Sequence, residues 1–267
     1  MKAVKTHPAF THAQKFAAAI PMVLALTCGA YAQSNDEQSK EPKVPFDLEK
    51  FQPVLSQSRL HSPRTGGNIA VRAGRFQNYE LPGRFYLGED GTTMVLGTTR
   101  SDRDRSELRH NATWPVTEGE VHYSARLRFD APVPEGEGWK RRRLHFVQVY
   151  IPRIPLGPAV LINARPVHDG KEDHLWVAVQ GSGEMRTQDL GPRPEGFFNL
   201  DLRIRDGEVR VYINHELKAE DHLLAFKGQG RRAFFKTGAY HRGIEPHQVE
   251  FEELTITLQD GQADNDD

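Results

Sequence analysis

The chain has 267 residues, a formal net charge of −1 and one cysteine, Cys28. This balance excludes the basic excess of nucleic-acid and anionic-membrane binders, and one cysteine excludes an intramolecular disulfide or a cysteine-based metal cluster. The length suits one large all-β domain without division.

From the N-terminus, Lys2, Lys5 and Lys15 give a basic start, residues 16–26 an apolar stretch, and Ala30-Tyr31-Ala32 small residues where a signal peptidase reads. Residues 1–32 therefore predict a secretory signal peptide cleaved after Ala32. The apolar stretch contains Pro21 and is too short to span a bilayer as a helix, and Ala25-Leu26-Thr27 is a poor approach to a lipidated Cys28. The expectation is a secreted or periplasmic protein with no membrane span. Removal of this segment takes away the only cysteine and three lysines, leaving 32 basic against 36 acidic residues. Arginines nevertheless cluster in residues 100–109 and 141–143. Clustered arginines can hold an anionic ligand, although the 141–143 run taken alone is better read as a solvated surface.

Residues 33–50 are polar and predict a flexible segment, with a short helix or turn near 45–55. From there to residue 260 the pattern has period two. Residues 121–129 place Val121, Tyr123, Ala125, Leu127 and Phe129 on one face. Segments 144–151, 159–164 and 175–180 are short, β-branched and bounded by Pro or Gly. Residues 198–204 lead through Asp206-Gly207 into Val209, Val211 and Ile213, and an Asp-Gly pair between alternating runs predicts a tight hairpin. Segments 233–240 and 249–258 complete the series, and residues 261–267 form an acidic, disordered tail. Short strands with one apolar face and turn-punctuated spacing predict one domain over residues 51–260, an all-β sandwich of two antiparallel sheets.

Three segments gather polar residues on one strand face. In Arg105-Ser106-Glu107-Leu108-Arg109, alternation sends Arg105, Glu107 and Arg109 one way, a carboxylate between two planar guanidiniums suited to binding carboxylates. In Phe146-Val147-Gln148-Val149-Tyr150, alternation puts Gln148, Tyr150 and Phe146 together. In Phe234-Phe235-Lys236-Thr237-Gly238-Ala239-Tyr240, Lys236 and Tyr240 share a face, with Gly238 between them to admit a ligand close to the backbone. Each pattern also fits a salt-bridged or half-polar surface strand. His122, His145, His168, His174 and His241 are scattered, and His145, out of phase with Gln148 and Tyr150, is expected to face away. No His or carboxylate spacing indicates a metal site.

Taken in order, these segments resemble the polysaccharide lyase family that contains the jelly-roll alginate lyases. Its Arg-Ser-Glu-Leu-Arg motif matches residues 105–109, its Gln-Ile/Val-His motif falls on Gln148-Val149-Tyr150, and its Tyr-Phe-Lys-Ala-Gly-x-Tyr motif falls on residues 234–240. The resemblance implies a β-jelly-roll fold and β-elimination of a uronate polymer, alginate by default, with no cofactor. It implies that Arg105 and Gln148 neutralise the uronate carboxylate and that Tyr240 acts as base and acid with Tyr150 assisting. Glu107, Arg109 and Lys236 would bind neighbouring sugars. Tyr150 stands where the family usually has histidine, and His241-Arg242 follow the last tyrosine where the family has Gln. These departures leave glucuronan or another polyuronate open as substrate, and another histidine open as base.

Two other readings stay in play. A glycoside hydrolase needs a pair of acids flanking the bond, and no strand spaces acids that way. A non-catalytic module that binds acidic glycans would use the arginines without needing Tyr240 beside Lys236. The expected partner in every case is an acidic polysaccharide, bound by a monomer.

Overall fold

The Asp206-Gly207 pair makes the turn that the alternation predicts: Arg205 pairs with Glu208, and both turn residues take positive φ (49° and 84°). Such a turn matches the right-handed twist of its two strands. The computed structural model describes residues 42–62, 69–99, 103–130, 143–152, 157–242 and 245–259. The expected signal peptide, the first half of the expected flexible segment (33–41), Arg141, Arg142 and the acidic tail lie outside the described residues.

The strands are β1 (Ser58–His61), β2 (Ile69–Val71), β3 (Phe85–Leu87), β4 (Met94–Gly97), β5 (Arg105–His110), β6 (Trp114–Pro115), β7 (Glu120–Phe129) and β8 (Arg143–Tyr150). They continue as β9 (Val160–His168), β10 (Lys171–Gln180), β11 (Met185–Pro192), β12 (Phe198–Arg205), β13 (Glu208–Ile213), β14 (Glu216–His222), β15 (Arg232–Arg242) and β16 (Gln248–Gln259). Among the described residues they form two antiparallel sheets. The larger runs β11-β10-β9-β8-β15-β5-β1-β2, with β6 on β15, and the smaller runs β14-β13-β12-β7-β16-β4-β3. This is the expected jelly-roll sandwich. The order places β15 between β8 and β5, so segments distant in sequence become neighbours.

The core lies between the sheets. Val121, Tyr123, Ala125, Leu127 and Phe129 all point into it, and Phe129 meets the rings of Phe146 and Phe198 at 4.8 and 6.0 Å. Burying a side chain of this size stabilises by about 1.5–3 kcal/mol. The short helix or turn expected near residues 45–55 is present as two 3-10 turns, Pro45–Asp47 and Glu49–Phe51, and a short helix, Gln52–Ser56. Val44 and Pro45 are buried, and Phe46 and Leu48 pack on the core, so residues 44–50 of the expected flexible segment are folded. Asp47 caps this entry by accepting from the backbone N–H groups of Lys43 and Val44 (2.8 and 3.2 Å). Apolar residues spaced among polar ones hid this anchor in the composition.

One irregularity governs the outer face of the larger sheet. Between β8 and β9, His145 pairs with Asn163 but Val147 with Ile162, leaving Phe146 as an extra residue. Such a bulge shifts the side-chain alternation by one. Phe146 therefore joins Leu144, Val147 and Val149 in the core, correcting the expectation that it shares a face with Gln148 and Tyr150. The hydroxyl of Thr237 donates to the Phe146 carbonyl (3.0 Å) and accepts from Tyr123 Oη (2.8 Å), so a core bond holds the bulge in place.

Candidate active site

Register aligns the polar residues of the outer face into rows across the strands. Arg105 of β5 pairs with Tyr240 of β15, Tyr240 with His145 of β8, His145 with Asn163 of β9, and Asn163 with Trp176 of β10. A second row joins Arg109, Lys236 and Gln148. A third joins Arg242 to Arg143, and, because Leu144 pairs with Ala164, sets Arg143 opposite Arg165. All seven residues singled out from sequence, Arg105, Glu107, Arg109, Gln148, Tyr150, Lys236 and Tyr240, lie on β5, β8 or β15 of this face.

Glu107 is the centre of the first cluster. It is 1% exposed, lies 3.6 Å from the Arg105 guanidinium, and accepts a hydrogen bond from Gln148 Nε2. β15 runs between the two residues, with Gly238 the partner of Glu107 and Lys236 the partner of Gln148. Burial pushes the Glu107 carboxyl up, opposed by the charges of Lys236 and Arg105 and by the Gln148 bond. Burial likewise lowers Lys236, against the pull of Glu107. One carboxylate thus orders two cations and an amide whose remaining donors can face a ligand. Among the described residues Arg105 Nε and Arg109 Nε are buried without a partner, as expected of donors waiting for an anion.

Gly238 has φ +133°, and a Cβ built there would lie 2.4 Å from the Ser106 carbonyl oxygen and 3.1 Å from Leu96 Cδ1. The glycine is therefore required by its backbone conformation and by the close approach of β5 and the core. This corrects the expectation that it clears space for a ligand.

Tyr240 lies between the clusters. The Arg105 guanidinium is 4.7 Å from its ring centroid, and the His145 ring is 5.3 Å away. The bulge thus brings His145 onto this face, against the expectation that it points away. His145 is 4% exposed, and its Nδ1 is buried without a partner. Burial first, then the charges of Arg143, Arg242 and Arg165, lower its pKa to about 3, so the imidazole is neutral near pH 7. Tyr150 lies beside Phe234 (5.3 Å) with Lys236 Nζ 4.7 Å from its ring centroid, while Arg109 covers Phe234 at 4.1 Å. Arg59 and His61 of β1 pair with Arg109 and Glu107. His61 is lowered to about 4 by burial and by Lys236, Arg109, Arg105 and Arg59.

His145, His61, Arg59, Arg143 and Arg165 were not selected from sequence. Strand alternation misplaces His145 because of the bulge, and only the pairing order brings β1 and β9 to the site. Among the described residues no group of three or more His, Cys, Asp and Glu is placed to hold a metal ion, and no helix is long and apolar enough to cross a membrane.

The outer sheet face of this jelly roll sets a tyrosine among buried cationic side chains, some of whose donors have no partner among the described residues, an arrangement suited to an anionic ligand. The alginate lyase family model matches residues 46–258, and the chain belongs to that family; it is a polysaccharide lyase. The structure of alginate lyase AlyC3 aligns with a TM-score of 0.71 at 16% identity, over 83% of this chain and 97% of that one. AlyC3 in complex with dimannuronate aligns with the same TM-score at 18% identity, over 84% and 98%. The alginate lyase from Klebsiella pneumoniae aligns with a TM-score of 0.64 at 16% identity, over 78% and 97%. No curated protein matches the sequence significantly.

Proposed function

We propose that this protein is exported and cleaves a polyuronate, alginate first among them, by β-elimination at Tyr240. The observation that carries the proposal is the placement of Tyr240 against the Arg105 guanidinium and the neutral His145 ring, beside donors that have no partner among the described residues. A uronate C5–H is poorly acidic because removing its proton adds charge next to a carboxylate. Arg105 and Gln148, held by Glu107, neutralise that carboxylate and stabilise the enolate-like intermediate where charge develops. The Tyr240 phenolate, beside the fixed positive charge of Arg105, takes the C5 proton. The C–H electron pair becomes the C4=C5 double bond, the C4–O bond breaks, and the leaving oxygen takes the proton from Tyr240. No water enters and no oxidant is needed. His145 abuts Tyr240 as a neutral group that can relay its proton, and Tyr150, Arg109 and Lys236 bind the adjoining sugar.

The dimannuronate complex of AlyC3 supports an acidic mannuronate-containing substrate. The family match supports alginate over glucuronan, and the basic and apolar N-terminal pattern supports export. The test follows ultraviolet absorbance of the purified protein with alginate, polymannuronate and glucuronan, because elimination creates a conjugated double bond and hydrolysis does not. Absorbance is expected to rise with wild type and not with Tyr240→Phe; full activity of Tyr240→Phe would refute the role of Tyr240.

A further inference from the structure

The third row sets a problem of charge. Arg242, Arg143 and Arg165 are successive neighbours across β15, β8 and β9, and like charges directly opposite in a sheet destabilise it. Elsewhere the protein pairs its partly buried arginines: Arg84 holds Asp104 at 3.0 Å and Arg193 holds Asp173 at 2.9 Å. Among the described residues no carboxylate pairs with Arg143, Arg165 or Arg242. Arg165 is only 7% exposed, and a buried charge without a counter-ion is costly.

Neutral groups hold Arg165 in place. Arg165 Nε donates to Asn163 Oδ1 at 2.7 Å, and its guanidinium lies 5.8 Å from the Trp176 ring centroid. Trp176 in turn is braced by His168, with rings 4.4 Å apart. In the adjoining row, His145 Nδ1 and Trp176 Nε1 are buried without partners among the described residues, on residues each 4% exposed. Crowding shows in the guanidiniums themselves. Arg165 is lowered to about 10 by burial and by Arg143, and Arg143 is lowered by burial and by Arg242.

We propose that Arg143 and Arg165 form a second carboxylate-binding subsite, which takes the uronate next to the one that reacts at Tyr240. The ligand supplies the counter-ion that the described residues do not. Two guanidinium rows, one on each side of Tyr240, would then require charged sugars on both sides of the scissile bond. A polymer whose uronates alternate with neutral sugars would bind one row only. The inference rests on the uronate reading above and names residues for specificity outside the family motifs.

The experiment measures binding of tetramannuronate by calorimetry in the Tyr240→Phe protein, with Arg165 intact and with Arg165→Gln. The expected result is a Kd about tenfold weaker for Arg165→Gln, the size of one charge-assisted contact, with partial recovery in Arg165→Lys. The carboxyl-reduced tetrasaccharide should bind without regard to Arg165. Where Arg165→Gln fails to fold, Arg143→Gln at a more exposed position makes the same test. Unchanged tetramannuronate binding in these variants overturns the subsite, even if the wild type proves to be an eliminating lyase. Binding that depends on Arg165 in a wild type that releases no unsaturated ends upholds the subsite and refutes the elimination reading instead.

Discussion

On the β5 side of Tyr240, Arg105 and Lys236 surround Glu107, which is buried and bonded to Gln148. On the β9 side, Arg165 is held by Asn163 and Trp176, and among the described residues neither it nor Arg143 has a carboxylate partner. The first side carries an internal anion that fixes the direction of each donor but neutralises part of the charge. The second keeps its charge and depends on neutral neighbours for its geometry. This difference suits two tasks: the β5 side must aim donors accurately at a carboxylate whose charge state changes in the reaction, whereas the β9 side needs only to attract one.

The largest effect is expected at the seam. Tyr240→Phe should lower kcat by about 10²–10⁴, the range of acid–base groups, while tetramannuronate binding stays as in the wild type; loss of binding in parallel would make Tyr240 a structural residue. Next, Glu107→Gln should leave Arg105 and Gln148 in place but less well aimed, lowering kcat about a hundredfold with little change in KM. A large rise in KM at constant kcat would mean that Glu107 serves binding alone, and would erase the contrast between the two sides. Gly238→Ala should cost roughly 3 kcal/mol of stability in urea unfolding, from strained φ and the contact with the Ser106 carbonyl; a neutral result would return Gly238 to the ligand-clearing role.

The smallest effect concerns pH. His110 and His61 are lowered to about 4 and His145 to about 3, in each case chiefly by burial. The unfolded rings take up protons as pH falls below about 6.5 while the folded ones resist, so stability is full above that pH and is lost towards pH 4. Tm should fall by several degrees over this window, on the order expected for a few kcal/mol in a domain of this size. His110→Asn, at the end of β5, should flatten the slope; an unchanged slope would place the acid sensitivity elsewhere.

Much of this was legible in the sequence because strand alternation is a strict rule where strands are regular. Arg105, Glu107 and Arg109 fall on one face and Ser106 and Leu108 on the other, and the 121–129 strand buries every residue it was expected to bury. Alternation fails where a bulge inserts a residue, and no local feature of Leu144-His145-Phe146-Val147 marks one; the bond that holds it comes from the Thr237 hydroxyl on another strand. The β9 arginine was hidden for a different reason. Arg165 stands in an ordinary apolar strand, and only the pairing of β9 with β8 brings it to Arg143. Near residues 45–55 the turn was legible but its anchoring was not: Val44, Pro45, Phe46 and Leu48 are too few among polar neighbours to show a period, yet enough to anchor a chain entry.

The central claim is elimination, and the masses of the products test it most directly. Wild-type protein incubated with a defined mannuronate oligomer should yield fragments whose masses sum to that of the substrate, one of them carrying the unsaturated end. Fragments that together exceed the substrate by one water would show hydrolysis, and would contradict the assignment of Tyr240 as the group that moves the proton from C5 to the leaving oxygen.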